Sequence, residues 1–300
     1  MTLLRALILL PLLGGCSLTR MAINTQAPLL EKGAEALKAE RSWQWFKEAT
    51  PGNIQLIEGL LSQDPDNEIL QRSLIRSYAG YSYLVFESEL IPEQIDGGDD
   101  KPMSERAIGL YRRALKYGEK YFANRGVDCK QESEAKLREQ LEKNVRDEDM
   151  PALAFFAQAW GASINLQKQN MALLAELPRV KFLFDFVCAR RPDIEQGMCP
   201  LFYAQYEASR PRMLGGNPEL GREMFLNFLQ KNPSHLLARV SYLQYSVIAR
   251  LDEDEFAKEG LALERLLQAW RTGDAGELNL LNATAEKRWE LLKARKAKIF

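Results

Sequence analysis

The sequence predicts an all-α fold, a solenoid of tetratricopeptide-like (TPR-like) helical hairpins whose repeats have become degenerate. Three observations carry that prediction. Leu, Ala, Glu, Lys, Arg and Gln dominate the composition. Alternating Val, Ile and Thr, the signature of half-buried strands, is almost absent. Apolar residues recur instead at intervals of three and four, the period of one helix face.

The elements follow in order. Residues 17–42 have weak periodicity and read as a tether plus a short helix. Asp64-Pro65-Asp66-Asn67 stops one helix and caps the next. Leu70, Leu74, Tyr78, Tyr81 and Val85 then mark one face of a long helix. Gly97-Gly98-Asp99-Asp100-Lys101-Pro102 is a loop, after which Ser104 and Glu105 open a helix. Residues 132–149 are highly charged and read as an exposed helix or insertion. Asp149 reads as a cap, with Met150-Pro151 in the first turn, where proline is tolerated. Leu153, Phe156, Ala157, Trp160 and Ile164 form the next stripe. Arg190-Arg191-Pro192-Asp193 and Gly215-Gly216-Asn217-Pro218-Glu219 are further stop-and-start signals. After the break at 273–276, the last stripe is Leu278, Leu281, Ala285, Trp289 and Leu292.

A spacing repeats along this series. It reads Asn53-x3-Ile57-x2-Leu60-x4-Pro65, then Val180-x3-Phe184-x2-Val187-x4-Pro192, then Gly221-x3-Phe225-x2-Phe228-x4-Pro233. Ala107-x3-Tyr111-x2-Ala114 is a fourth instance without the proline. This is how the second helix of a TPR ends. A small or β-branched residue admits the paired helix, an aromatic fills the gap, and proline stops the helix. The step from Pro192 to Pro233 exceeds the ~34 residues of an ideal repeat. Stacked pairs of this kind give a curved solenoid whose first helices line a concave groove.

The N-terminus carries its own message. Arg5 precedes an apolar run over 6–13, too short for the ~20 residues of a membrane-spanning helix. Leu13-Gly14-Gly15-Cys16 follows directly and reads as a lipobox, with acylation of the Cys16 thiol. The expected organisation is a lipoprotein signal peptide over 1–15, a lipidated N-terminus and tether over 16–42, and a TPR-like helical domain over 43–300. Ser17, where an Asp would retain the protein at the inner membrane, points to the outer membrane and a periplasmic body.

Other chemistries find little support. Forty basic and 41 acidic residues give a net charge of −1, well mixed, with no nucleic-acid footprint. His235 is the only histidine, so a metal site lacks partners and most catalytic triads are excluded. GxSxG, P-loop and dinucleotide fingerprints are absent, and no catalytic residue or cofactor is expected. Glu87 and Glu89 beside Tyr81 and Tyr83 are better read as a helix surface next to a buried stripe than as a carboxylate site. Of the cysteines after Cys16, Cys188 and Cys199 either staple neighbouring antiparallel helices or remain two buried thiols, and Cys129 is left over. Aromatics cluster on first-helix segments, mostly as core. Tyr83, Phe155 and Tyr203 are the candidates for lining a groove, Phe155 because it lies off the stripe of Phe156 and Trp160. The basic tail of Lys287, Arg288, Lys293, Arg295, Lys296 and Lys298 reads as a solvated last helix.

A family resemblance joins these motifs. Asn53-Ile54-x2-Ile57-Glu58-x-Leu60-Leu61-x2-Asp64-Pro65-Asp66-Asn67, Tyr78-Ala79-Gly80-Tyr81 and Phe86-Glu87-Ser88-Glu89 resemble the first repeat of the TatT component family of TRAP transporters. Ala107-x2-Leu110-Tyr111-x2-Ala114-x2-Tyr117-Gly118 continues it, and Asp149-Met150-Pro151-Ala152-Leu153 with Ala159-Trp160-Gly161 is similar to the family's central helix. Leu214-Gly215-Gly216-Asn217-Pro218-Glu219 and Leu278-x2-Leu281-Asn282-x2-Ala285-x5-Leu291-Leu292 complete the match. Cys199 departs from it, standing where a His is expected, and no role is carried to that position. The resemblance implies a periplasmic lipoprotein with cryptic TPRs that forms homotrimers. It implies docking to the solute-binding protein of a tripartite ATP-independent periplasmic transporter and passage of a hydrophobic ligand through a channel. The alternative is a TPR scaffold for outer-membrane or envelope-complex assembly.

Overall fold

The structure is a computed structural model that describes residues 2–98 and 101–300, with the side chains of residues 2–17 and of Leu214 outside that description. The lipidation reading at Cys16 falls outside the described side chains, as do Asp99 and Asp100 of the loop reading. In chain order the helices are α1 (Thr2–Ala36), α2 (Trp43–Gln63), α3 (Glu68–Tyr81), α4 (Glu87–Glu89), α5 (Ile91–Asp96), α6 (Pro102–Asn124), α7 (Glu134–Asn144) and α8 (Met150–Leu166). Then come α9 (Met171–Leu174), α10 (Leu177–Arg190), α11 (Met198–Ser209), α12 (Pro218–Lys231), α13 (Leu236–Tyr242), α14 (Glu253–Thr272), α15 (Asn279–Lys293) and α16 (Lys296–Ile299). No strand occurs among the described residues, and the fold is all-α as expected. Two π-helical turns, Ser82–Phe86 and Leu243–Val247, extend α3 and α13.

Local chemistry sets the helix starts. The Asn67 side chain accepts from the Leu70 N–H at 3.1 Å, as its place before a helix demands. Ser42 and Asn217 do the same for α2 and α12. At α6 the cap comes from elsewhere: Glu93 of α5 accepts from the N–H groups of Met103 and Ser104 at 2.8 and 3.1 Å. A carboxylate at this end also suits the helix dipole.

Neighbours in sequence pack as neighbours in space. α2 packs on α3, α3 on α6, α6 on α8 and α8 on α10; then α11 on α12, α12 on α13, and α13 on α15. The repeated spacing marks these contacts. A Cβ on Gly221 would sit 2.5 Å from the backbone N of Ala208 and 2.8 Å from the Ala204 carbonyl, so α11 and α12 touch backbone to backbone there. Ala107, Ala114, Val180 and Val187 are fully buried. The first instance fits only in part: Ile57 is buried as expected, but Asn53 is exposed and Ile54 and Leu61 are buried in place of Asn53 and Leu60.

Three features differ from the sequence reading. The segment read as a tether plus a short helix is helical through Ala36, and its Ile23 and Ala27, one turn apart, are buried as α1 packs on α3. Asp149 makes no side-chain cap to α8. Instead it is 0% exposed, accepts from the Tyr121 hydroxyl and from the Arg146 N–H at 2.8 Å, and lies 3.4 and 3.8 Å from Arg125 and Arg72. Finally, α15 packs back against α2, α4 and α5, so the stack closes on its first pair. Arg288, read as part of a solvated tail, is therefore only 1% exposed. Lys298 and Arg295 of the same tail pair with Asp96 of α5 at 2.8 and 3.2 Å.

Candidate cavity and its buried charges

Closure of the stack turns the expected groove into a cavity of about 540 Å³. That lies within the ~300–1,000 Å³ of small-molecule sites. α3, α8, α10, α11, α13 and α15 all contribute wall residues. α8 supplies Phe155, Gln158, Ala162 and Asn165, which recur at helical spacing and turn one face to the void. Phe155 lies close to Gly80 of α3, and the Arg76 guanidinium sits 5.8 Å from its ring centre. Phe156 and Trp160, one position off and one turn on, are buried core. Phe184 and Phe202 stack at 3.7 Å between ring centres across α10 and α11, and both reach the wall.

Tyr83 and Phe155 thus face the same cavity. Tyr203 is not in its wall. Its hydroxyl donates to Asp185 at 2.8 Å and Lys181 lies 5.6 Å from its ring. The preceding residue, Phe202, takes the wall position, because one residue turns an α-helix by ~100°. The Oε1 of Gln158, a wall residue, is buried and has no hydrogen-bond partner among the described residues.

Glu87 overturns the surface reading given to it. It is only 9% exposed, borders the cavity, and accepts from the Tyr111 hydroxyl. Burial pushes its carboxyl above the usual range, and nearby Arg288 and the Tyr111 hydrogen bond offset this only in part. Arg288 donates to the Ser88 hydroxyl at 2.9 Å and to the Tyr83 carbonyl, and stands 4.6 Å from the Tyr83 ring centre. The π-helical turn explains the misreading. One extra residue within a turn rotates everything after it by ~100°, so Glu87 swings from the surface phase of α3 towards the interior. Glu89, two residues on, pairs with Lys47 near the surface.

The turn between α10 and α11 forms another part of the wall. Cys188 and Cys199 are joined by a disulfide across these helices, with Cα atoms 5.8 Å apart. Within the bracket, Glu195, Gln196 and Gly197 hold φ of 46°, 50° and 103°. Left-handed backbone is unfavourable for the two side-chain-bearing residues, and their side chains are tied down. Glu195 pairs with Lys38 and Arg76 at 3.1 and 3.3 Å, and Gln196 donates to Glu277 at 2.9 Å. His235 closes the wall beyond it. Its Nδ1 accepts from the Ala238 N–H at 3.1 Å, and burial lowers its pKa to about 4. It is a neutral helix cap. Cys129 is buried, and burial pushes its thiol well above the ordinary value. No cluster of side chains fit to hold a metal ion occurs among the described residues.

Of the groove candidates, Tyr83 and Phe155 line this cavity and Tyr203 does not; Glu87, Phe202 and Gln158, not singled out in the sequence as groove residues, line it too. A wall that is apolar over most of its area, with Arg76, Glu87, Lys168 and Arg210 among its charged members, suits binding and orientation of a molecule with a large apolar part. Among the described residues no helix is long and apolar enough to cross a membrane. A search of curated proteins returned no match. The family described as TAtT, TRAP transporter T-component, matches residues 42–300, which span every helix from α2 to α16 and all of the cavity wall except Glu31, Ala34, Leu37 and Lys38. The chain belongs to the TRAP transporter T-component family.

Proposed function

We propose that this protein is a periplasmic component, lipid-anchored through Cys16 at the outer membrane, that docks the solute-binding protein of its TRAP transporter. In this reading the cavity holds a hydrophobic ligand and passes it to or from that partner. It turns over no substrate. The observation that carries the reading is the 540 Å³ cavity faced by Tyr83, Phe155 and Phe202, in a chain whose family is a transporter component. Acyl chains at Cys16 would confine the protein to a membrane surface and raise its effective concentration near the other components. Transient docking needs only a modest interface with a few aromatic or Arg anchors.

The test is a pull-down from envelope extract with protein starting at Ser17. Enrichment of a solute-binding protein supports docking. Recovery of outer-membrane assembly factors, with no solute-binding protein above background, favours the scaffold alternative and ends this one.

A further inference from the structure

α1 has two apolar faces, and the fold uses only one. Ile23, Ala27 and Leu30 pack inward, and Ile23 and Ala27 are 3% and 0% exposed. At ~100° per residue, Leu18, Met21, Thr25 and Leu29 fall together on the opposite side. There Leu18, Met21 and Leu29 are 67%, 69% and 68% exposed. The Thr25 hydroxyl already donates to the Met21 carbonyl at 2.9 Å, so burying it costs no hydrogen bond to water. No Asp or Glu shares this side. Glu31 and Glu35 of α1 are drawn to Arg72 and Arg76 of α3. Lys32 follows the stripe by one turn and is exposed.

We infer that this outer face of α1 lies in the boundary between lipid headgroups and acyl chains, holding the body in one orientation at the membrane. The position of Cys16 selects lipid as the occupant, since the stripe begins two residues after the acylation point and a bilayer anchored there lies within a turn of Leu18. The chemistry agrees. A helix that lies on a membrane presents apolar residues inward with basic residues at its flank, and a lysine reaches back to the headgroups along its stem. From Leu18 to Leu29 the face runs about 17 Å, enough to fix a direction rather than a point. The inference rests on acylation of Cys16 and is independent of which protein is docked.

The test places a nitroxide on the full acylated chain in vesicles of phosphatidylethanolamine and phosphatidylglycerol. M21C and L29C are compared with E139C on exposed α7. Cys129 is buried and Cys188 and Cys199 are paired, so only the introduced thiol takes the label. The expected result is several-fold higher collision with oxygen than with a water-soluble nickel complex at 21 and 29, and the reverse at 139. Water-like collision at all three sites overturns the inference. So does an immobile label at 21 and 29, shielded from both quenchers and broadened by a second spin, which would mark a second copy of the chain on this face. An intact mass showing Cys16 without acyl groups removes its premise and overturns it as well. None of these outcomes changes the pull-down, so failure of docking and failure of this inference are read separately.

Discussion

Two buried carboxylates, Asp149 and Glu87, are held in opposite ways. Asp149 is surrounded by donors: the Tyr121 hydroxyl, the Arg146 N–H, and the guanidinium groups of Arg125 and Arg72. It sits at the junction of α3, α6 and α8 and is not among the residues that line the cavity. Glu87 accepts from one hydroxyl, faces the cavity, and is compensated by Arg288 of α15 at longer range. The first site is saturated and therefore serves cohesion. The second keeps carboxylate capacity at the edge of a largely apolar cavity, where a ligand's polar end would meet it.

The largest effect follows from emptying the saturated site. Asp149→Ala leaves Arg72 and Arg125 facing each other with less compensation. Urea unfolding is expected to show a loss of about 3–5 kcal/mol, typical of breaking a buried charge network. Affinity for cavity ligands should be unchanged under conditions where the variant is folded. A loss below about 1 kcal/mol would contradict the structural assignment.

The wall histidine gives the next largest effect, through pH. Its folded pKa of about 4 lies below the ordinary 6.5. The unfolded chain therefore binds a proton first as pH falls. The stabilisation is complete above pH 6.5 and is lost towards pH 4, a change of about 3 kcal/mol over that window. Glu87 has the opposite sign. Its folded pKa is raised, so the folded state binds the proton first, and stability falls as pH rises from 4.5 through the raised value. The two slopes oppose each other. Glu87→Gln should steepen the acid-side loss of stability, and His235→Asn, which keeps a capping side chain, should flatten it. Chemical unfolding of both variants across pH 4–7 checks this. Equal slopes in wild type and both variants would refute the buried assignments.

The smallest expected effect on stability sharpens the comparison most. At neutral pH, Glu87→Gln keeps the shape and the Tyr111 hydrogen bond, and should cost about 1 kcal/mol or less. It should nevertheless shift affinity for amphipathic ligands with a polar end relative to purely apolar ones. Isothermal titration with a matched pair, an alkane-tailed alcohol and the corresponding alkane, reads that difference. No change in the ratio between the pair would remove Glu87 from the site.

Much of this was legible in the sequence, for local reasons. Asn67 before a helix, Gly221 at a close contact and Phe155 beside a core stripe each carry their meaning within a turn or two. Closure was not legible, because nothing in the pattern of α15 says which distant helices it meets. Arg288 looks like any basic residue of a last helix until α2, α4 and α5 cover it. Glu87 was hidden by the π-helical turn, which breaks the 3.6-residue count on which the surface reading rests. Asp149 had the right residue type for a cap, but partners far along the chain, Tyr121, Arg125 and Arg72, outbid the local one.

The central claim is that the cavity between α3, α8, α11 and α15 holds an apolar ligand. Ala162→Trp tests it most directly by filling that space from the α8 wall, where Ala162 is only half-buried. Titration with an apolar fluorophore should show at least roughly tenfold weaker binding by the variant, the loss of ~1.4 kcal/mol of contact, with a thermal midpoint close to wild type. Undiminished binding by a folded Ala162→Trp protein would contradict the account.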